Sequence, residues 1–248
     1  MTRRASLAAG KLFVVATPLG NLGDMSPRAV ETLKSVDAIA SEDTRRTRKL
    51  LAHFGVGTPL FSYHEHNEER AAEDVLRRIA GGESVALVTD AGTPLIADPG
   101  YRLVALLARE GIEIVSVPGP SAVTAALSVS GLPPMPFFFA GFLPRKKAAR
   151  RRRIEELGAL HATFVIFESP HRIVAGLRDL AQVLGDRPAV VARELTKIHE
   201  EVVRGSLGEL AQVAEGRAWK GEITIVVSGV PAGEDRERSE ASLAPGHP

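Results

Sequence analysis

The chain reads as an α/β protein with a mostly parallel first sheet and a mixed second one, and three observations predict this. Short apolar runs alternate with helical patterns through the first half, the βαβα rhythm of a parallel sheet with helices on both faces. Several of those runs empty into loops rich in Gly, Pro, Ser and Asp, the way open α/β sheets present ligand-binding groups at strand ends. Beyond residue 136 some strand-like runs lie close in sequence, which favours antiparallel pairing.

In the first half, strands are expected at 12–16, 38–40, 85–89 and 112–117. Helices fall near 27–35, 44–53, 68–80 and 99–110. Ser26-Pro27, Asp43-Thr44 and Asp98-Pro99 supply helix starts, a capping side chain followed by a residue suited to the first turn. A further helix over 121–130 is broken by Gly131-Leu132-Pro133-Pro134-Met135-Pro136. Three prolines in six residues make that stretch the best domain boundary. In the second half, strands are expected at 137–140, 163–167, 189–192, 202–204 and 222–227, with helices near 146–157, 170–184 and 207–215.

The 248 residues suggest one large or two small domains, at about 150 residues each. A 44% hydrophobic and 25% charged composition is that of a globular protein with a real core. No cysteine is present, which excludes disulfides, thiolate metal ligands and a cysteine nucleophile, and fits a reducing compartment. The basic start, MTRRASLAAGK, lacks the apolar core of a signal peptide. No apolar run approaches the roughly 20 residues that span a bilayer. The expectation is a cytoplasmic protein with no membrane partner, disordered over 1–10 and 231–248, where the sequence is polar and rich in Gly, Pro or basic residues.

Four strand ends carry chemical signals. Val85 to Gly100, VALVTDAGTPLIADPG, runs as strand, loop and helix start, bringing Asp90, Gly92 and Thr93 to a sheet edge. Thr17-Pro18-Leu19-Gly20-Asn21-Leu22-Gly23 follows the first strand but matches neither G-x-G-x-x-G nor a Walker loop, so phosphate cradling is disfavoured. Val117-Pro118-Gly119-Pro120-Ser121-Ala122 opens a helix with small residues able to offer N–H groups and a hydroxyl. The bland alternative at each is a tight turn or a simple cap. In Ser41-Glu42-Asp43-Thr44-Arg45-Arg46, Asp43 is most simply a cap, whereas Glu42 has no such duty and is the better chemical candidate.

Charge is unevenly placed although the net value is only +1. Arg145, Lys146, Lys147, Arg150, Arg151, Arg152 and Arg153 put seven cations in nine residues. Like charges repel on a helix, so this run has no evident stabilising purpose and reads as a phosphate-binding surface. Its bland alternative is a solvated face, as for Arg45, Arg46, Arg48 and Lys49. Arg193-Glu194-Leu195-Thr196-Lys197-Ile198-His199-Glu200 clusters Lys, Glu and His, either to hold a base or as a charged hairpin loop. His64 and His66 have no obvious third ligand, so no metal is expected.

ATPLGNLGD, SEDTRRTRKLL, VTDAGTPLIADPG, VPGPSA, FESPHR and RELTKIHEE, spread over about residues 11 to 229, resemble the ribosomal RNA methyltransferases of the tetrapyrrole methylase superfamily. The resemblance implies two α/β domains, 11–118 and 119–230, with S-adenosylmethionine folded into the cleft between them, usually in a homodimer. It implies methylation of the ribose 2′-hydroxyl of a cytidine in the decoding region of 16S rRNA, within the small ribosomal subunit. By motif position Pro18, Asp90, Thr93, Ser121, Ala122, Phe167 and Ile225 (or Val226) would line the donor pocket. Glu42, or the Glu194/Lys197 pair, would serve as base. Arg45, Arg46 and the run from Arg145 to Arg153 would grip RNA. The competing readings are a corrin-precursor methyltransferase and a non-catalytic ribosome-binding protein.

Overall fold

A computed structural model describes residues 10–230. It divides into a first unit ending at Ser121 and a second beginning at Ala122. The disorder expected of the two termini falls outside the described residues except at Gly10, which is buried. No helix among the described residues is long and apolar enough to cross a membrane.

The first unit runs β1 (Leu12–Val15), a 3-10 turn (Leu22–Asp24), α1 (Pro27–Ser35), β2 (Ala38–Ser41), α2 (Thr44–His53), β3 (Leu60–Ser62), α3 (Glu68–Ala80), β4 (Val85–Val88), α4 (Tyr101–Arg109) and β5 (Ile114–Val117). Its sheet has the order β3-β2-β4-β1-β5, and every pair is parallel. Central β2 and β4 are buried at every position, as strands covered on both faces must be. Alternation along β4 separates two cores. Val85 and Leu87 pack with Val75, Leu103 and Leu107 of α3 and α4. Ala86 and Val88 pack with Ala29, Leu33 and Leu51 of α1 and α2.

The chain leaves β1 toward β2 and leaves β4 toward β5, in opposite directions along the sheet. Right-handed crossovers then place the intervening helices on opposite faces. The seam between the carboxyl ends of β1 and β4 is therefore the topological switch point, where ligands bind in such sheets.

Local chemistry explains most helix starts. Ser26 accepts from the Ala29 N–H at 3.1 Å with Pro27 in the first position, and Asp43 accepts from the Arg45 N–H at 2.9 Å. At α4 the expected Asp98-Pro99 start is replaced. Gly100, at φ 133°, stands at the cap position in place of Asp98. Glu68 of α3 accepts from the Gly100 N–H at 3.1 Å instead, bringing a carboxylate to the positive helix end from a distant element.

The second unit runs α5 (Ala122–Ser130), β6 (Phe137–Phe142), α6 (Lys147–Gly158), β7 (Thr163–Glu168), α7 (Ile173–Leu184), β8 (Pro188–Arg193), β9 (Glu201–Ser206), α8 (Leu207–Glu215) and β10 (Ile223–Val227). The sheet order is β6-β7-β10-β8-β9, parallel only between β6 and β7. Helices α6, α7 and α8 cover one face through Ile154, Leu177 and Leu210. α5 covers the other, its Val123, Ala126 and Leu127 packed on Val165, Val190 and Val226. The proline-rich break at 131–136 thus lies inside the second unit, because the apolar α5 preceding it buries itself on that sheet.

Glu201 on edge strand β9 ties the unit together, 2.6 Å from Arg217 and 3.1 Å from Arg193. Arg217, then Arg193, hold its carboxyl at about 2, below the ordinary 4.5, against the opposing effect of burial. A carboxylate depressed on folding contributes stability above its unfolded pKa and loses it as pH falls through the folded one. Between pH 4.5 and 2 the melting temperature of the wild type should therefore fall more steeply than that of Glu201→Gln. Parallel slopes would remove this contribution.

Candidate active site

Three strand-end loops meet at the carboxyl edge of the first sheet. The Thr17 N–H donates to the Gly92 carbonyl at 2.9 Å and the Gly92 N–H to the Thr17 carbonyl at 3.0 Å, bridging the loops after β1 and β4. Thr17 Oγ1 donates to the Thr89 carbonyl at 3.0 Å, and Thr93 Oγ1 to the Pro120 carbonyl at 3.1 Å. Gly92, at φ 85°, needs the left-handed backbone. A Cβ at Gly119 would lie 2.9 Å from the Ala16 Cβ. Gly119→Ala should accordingly cost about 1–3 kcal/mol by overpacking, measurable by thermal denaturation. Unchanged stability would mean that the β1 and β5 loops yield freely.

Beside the β1/β4 seam lies a pocket of about 290 Å³ lined by Pro18, Leu19, Arg46, Lys49, Thr89 and Asp90, among others. Pro18 is buried, and Asp90 and Thr93 are half-buried. Asp90 accepts from the Asp43 N–H at 3.1 Å and from Arg46 at 3.3 Å. Glu42, half-buried at the end of β2, accepts from Thr89 Oγ1 at 3.3 Å. Burial, then the negative charge of Asp90, raises its pKa above the ordinary 4.5, against Thr89, Arg46 and His64. Asp43 is a cap held at about 2 by Arg45. One carboxylate fixed in its charge beside another tuned upward is the pattern of an acid–base site. Thr89 is not among the site residues the sequence predicts. Its only signal is a hydroxyl where an apolar strand ends.

The other expected bases, Glu194 and Lys197, are paired with each other. Lys197 Nζ lies 2.8 Å from Glu194 and 2.9 Å from Glu222. Burial would lower its pKa, but hydrogen bonds to Glu194 and Glu222 outweigh burial and hold it above the ordinary value. Burial likewise pushes Glu194 up, yet Lys197 and the neighbouring backbone bring it below the ordinary range. Glu194 also accepts from the Glu222 N–H at 2.9 Å, with left-handed backbone at Glu194 (φ 51°) and Thr196 (φ 68°). This cluster staples the β8–β9 loop, and a lysine so paired keeps its proton.

Ile225 is fully buried on the α6–α8 face of its sheet, packed into that core. Its side chain is therefore committed to that core, and Val226 points to the α5 face instead. Phe167 is half-buried, its ring 4.8 Å from that of Phe139 and 5.8 Å from that of Phe142. Ser121 ends the first unit and Ala122 begins α5, both half-buried.

The basic run splits in two. Arg150 is buried and meets Asp179 at 2.5 Å, with Arg151 on the other carboxylate oxygen at 2.8 Å. Arg153 pairs with Glu156 at 2.9 Å and lies over the Phe138 ring. Arg150 therefore cannot grip a phosphate, and part of the run has a stabilising purpose after all. Arg145, Lys146, Lys147 and Arg152 are exposed. Arg45 and Arg46 are exposed as well, resting on Asp43 and Asp90.

Parallel and mixed sheets with loops converging at the switch point make an α/β protein with a ligand-site geometry, and a family model described as Tetrapyrrole (Corrin/Porphyrin) Methylases, matching residues 11–211, assigns it to the methylase class. Among solved structures, cobalt precorrin-4 methyltransferase has a TM-score of 0.68 at 19% identity, covering 92% of this chain and 98% of its own. Uroporphyrin-III C-methyltransferase from Thermus thermophilus, in complex with S-adenosylhomocysteine, has a TM-score of 0.62 at 19% identity, covering 88% and 97%. Ribosomal RNA small subunit methyltransferase I of Xylella fastidiosa (strain Temecula1) is 54% identical over 223 residues, 89% of this chain and 82% of that protein. The chain belongs to the ribosomal RNA small subunit methyltransferase I family, within the tetrapyrrole methylases.

Proposed function

We propose that this protein transfers a methyl group from S-adenosylmethionine to the ribose 2′-hydroxyl of a cytidine in the decoding region of 16S rRNA. The acceptor is the small ribosomal subunit, and the enzyme works as a cytoplasmic homodimer. The family relative named for ribosomal RNA supports the substrate class, and the S-adenosylhomocysteine bound to the Thermus thermophilus neighbour supports the donor. Glu42 carries the oxygen-acceptor reading, because a hydroxyl is a poor nucleophile unless a base removes its proton.

The site fits such a donor. It lacks a phosphate-cradling turn and offers instead a buried proline, close backbone approach at Gly92 and Gly119, and hydroxyls at Thr93 and Ser121. Pro18, Asp90, Thr93 and Ser121 of the first unit would hold it. Bound there, it supplies a methyl group activated by the positive sulfur. The chain's own work is positioning and proton removal. Glu42 takes the hydroxyl proton as the oxygen–carbon bond forms, while Thr89 orients its carboxylate and Asp90 keeps its affinity for that proton high. Arg46 and Lys49 on α2 face the same pocket and receive the acceptor's phosphates.

The test is incubation of radiolabelled donor with small subunits from a strain lacking this methylation. Label in a 2′-O-methylated cytidine is expected. Label only in a corrin precursor, or none, overturns the reading.

A further inference from the structure

We propose that the corner between β6 and α6 is a preformed site for unpaired RNA, in which Phe142 stacks a base while Arg145, Lys146, Lys147 and Arg152 take phosphates. This rests on the reading that the acceptor is RNA. It adds which form of RNA is bound and which residues give the surface its shape.

Two arginines hold the turn from beneath. Arg172 donates to the Leu143 carbonyl at 2.6 Å and the Pro144 carbonyl at 3.5 Å, and lies 3.5 Å from the buried Glu168 carboxylate. Arg150 donates to the Arg145 carbonyl at 3.2 Å and is itself anchored on Asp179 at 2.5 Å. Three successive carbonyls are thus gripped by guanidiniums whose counter-charges are buried. Arg150 and Arg172 are positioning residues.

What the turn presents is exposed and unspent. Among the described residues no carboxylate pairs with Arg145, Lys146, Lys147 or Arg152, and all four are exposed. Lys146 and Lys147 sit at the start of α6, where the helix dipole disfavours cations, so helix stability gives no reason for them. Phe142, three residues before Arg145, is 54% exposed, with its ring supported edge-on by Phe167. A bare ring beside unpaired cations is the chemistry of single-strand binding, since every unpaired base offers a face to stack. Bases in an A-form duplex are already stacked and are met through shape and backbone.

The test is fluorescence anisotropy of the full-length protein with a labelled single-stranded RNA and its duplex, across a salt series. The single strand should bind more tightly at every salt concentration. Phe142→Ala should weaken it roughly 5- to 100-fold without altering the salt slope. Replacing Arg145, Lys146 and Lys147 by Gln should flatten the slope by about 2, at about 0.7 per phosphate contact. Arg172→Met should lower affinity at constant slope, because the turn must then be ordered on binding. Arg172→Lys, which keeps a donor for the Leu143 carbonyl, should recover part of the loss.

Equal binding of duplex and single strand, or an inert Phe142→Ala, overturns the proposal. So does a Phe142→Ala protein that sediments as a smaller species with RNA affinity intact, since the ring would then be a contact between copies. The outcome is separable from the proposed reaction. A protein that binds the single strand as described but labels no small subunit leaves this surface standing and overturns the methyl transfer.

Discussion

Glu42→Gln is expected to lower methyl transfer to small subunits by about 10²- to 10⁴-fold, the usual contribution of a positioned general base. Binding of donor and of subunit, measured separately by calorimetry and filter binding, should be retained because the side chain keeps its size. The pH profile gives a sharper test. Glu42 acts only when ionised, so the wild-type rate should fall as pH drops through its raised pKa. Asp90 raises that pKa, so Asp90→Asn should move the acid limb to lower pH. Thr89 lowers it through a hydrogen bond, so Thr89→Val should move the limb to higher pH. Opposite shifts from two neighbours identify Glu42 as the titrating group, and a limb that ignores both removes it from that role.

Local signals were readable in the sequence and long-range ones were not. Helices α1 and α2 begin where Ser26 and Asp43 announce them, because a cap is satisfied within three residues. α4 begins at Tyr101, beyond the start that Asp98-Pro99 predicts, and the Gly100 N–H is met by Glu68, 32 residues upstream. β3 is not legible in the sequence because three residues at a sheet edge carry too little pattern. The same distinction runs through the site. Glu42 is singled out in the sequence by a local argument, a carboxylate with no capping duty, and the structure sets it beside Thr89. Glu194 and Lys197 read locally as a cluster able to hold a base, whereas Glu222, distant in sequence, joins them in an ion-paired staple. Arg150 and Arg152 are alike in type and two positions apart, yet one is buried and the other exposed. No local rule separates them, since the difference is made by Asp179 on the next helix.

Asp179→Asn is expected to destabilise the second unit by about 3–5 kcal/mol, because it leaves the Arg150 guanidinium buried without a counter-charge. Side-chain exposures of 10% and 4% put this pair well inside the protein, where a lone charge is costly. Burial would raise the Asp179 pKa, but hydrogen bonds from Arg151 and Arg150 outweigh it and bring it below the ordinary 3.8. The pair's contribution is therefore present above that ordinary value and lost as pH falls through the lowered one. Urea denaturation at neutral pH measures the loss, and a change below 1 kcal/mol would mean that water reaches Arg150. The double variant Arg150→Met/Asp179→Leu should regain most of the stability, since apolar residues of similar size often replace a buried ion pair without penalty. It still lacks the donor that holds the Arg145 carbonyl. A double variant as stable as the wild type but weaker on single-stranded RNA, at an unchanged salt slope, assigns the pair to presenting the basic corner. Wild-type RNA affinity in that variant would confine the pair to joining α6 with α7.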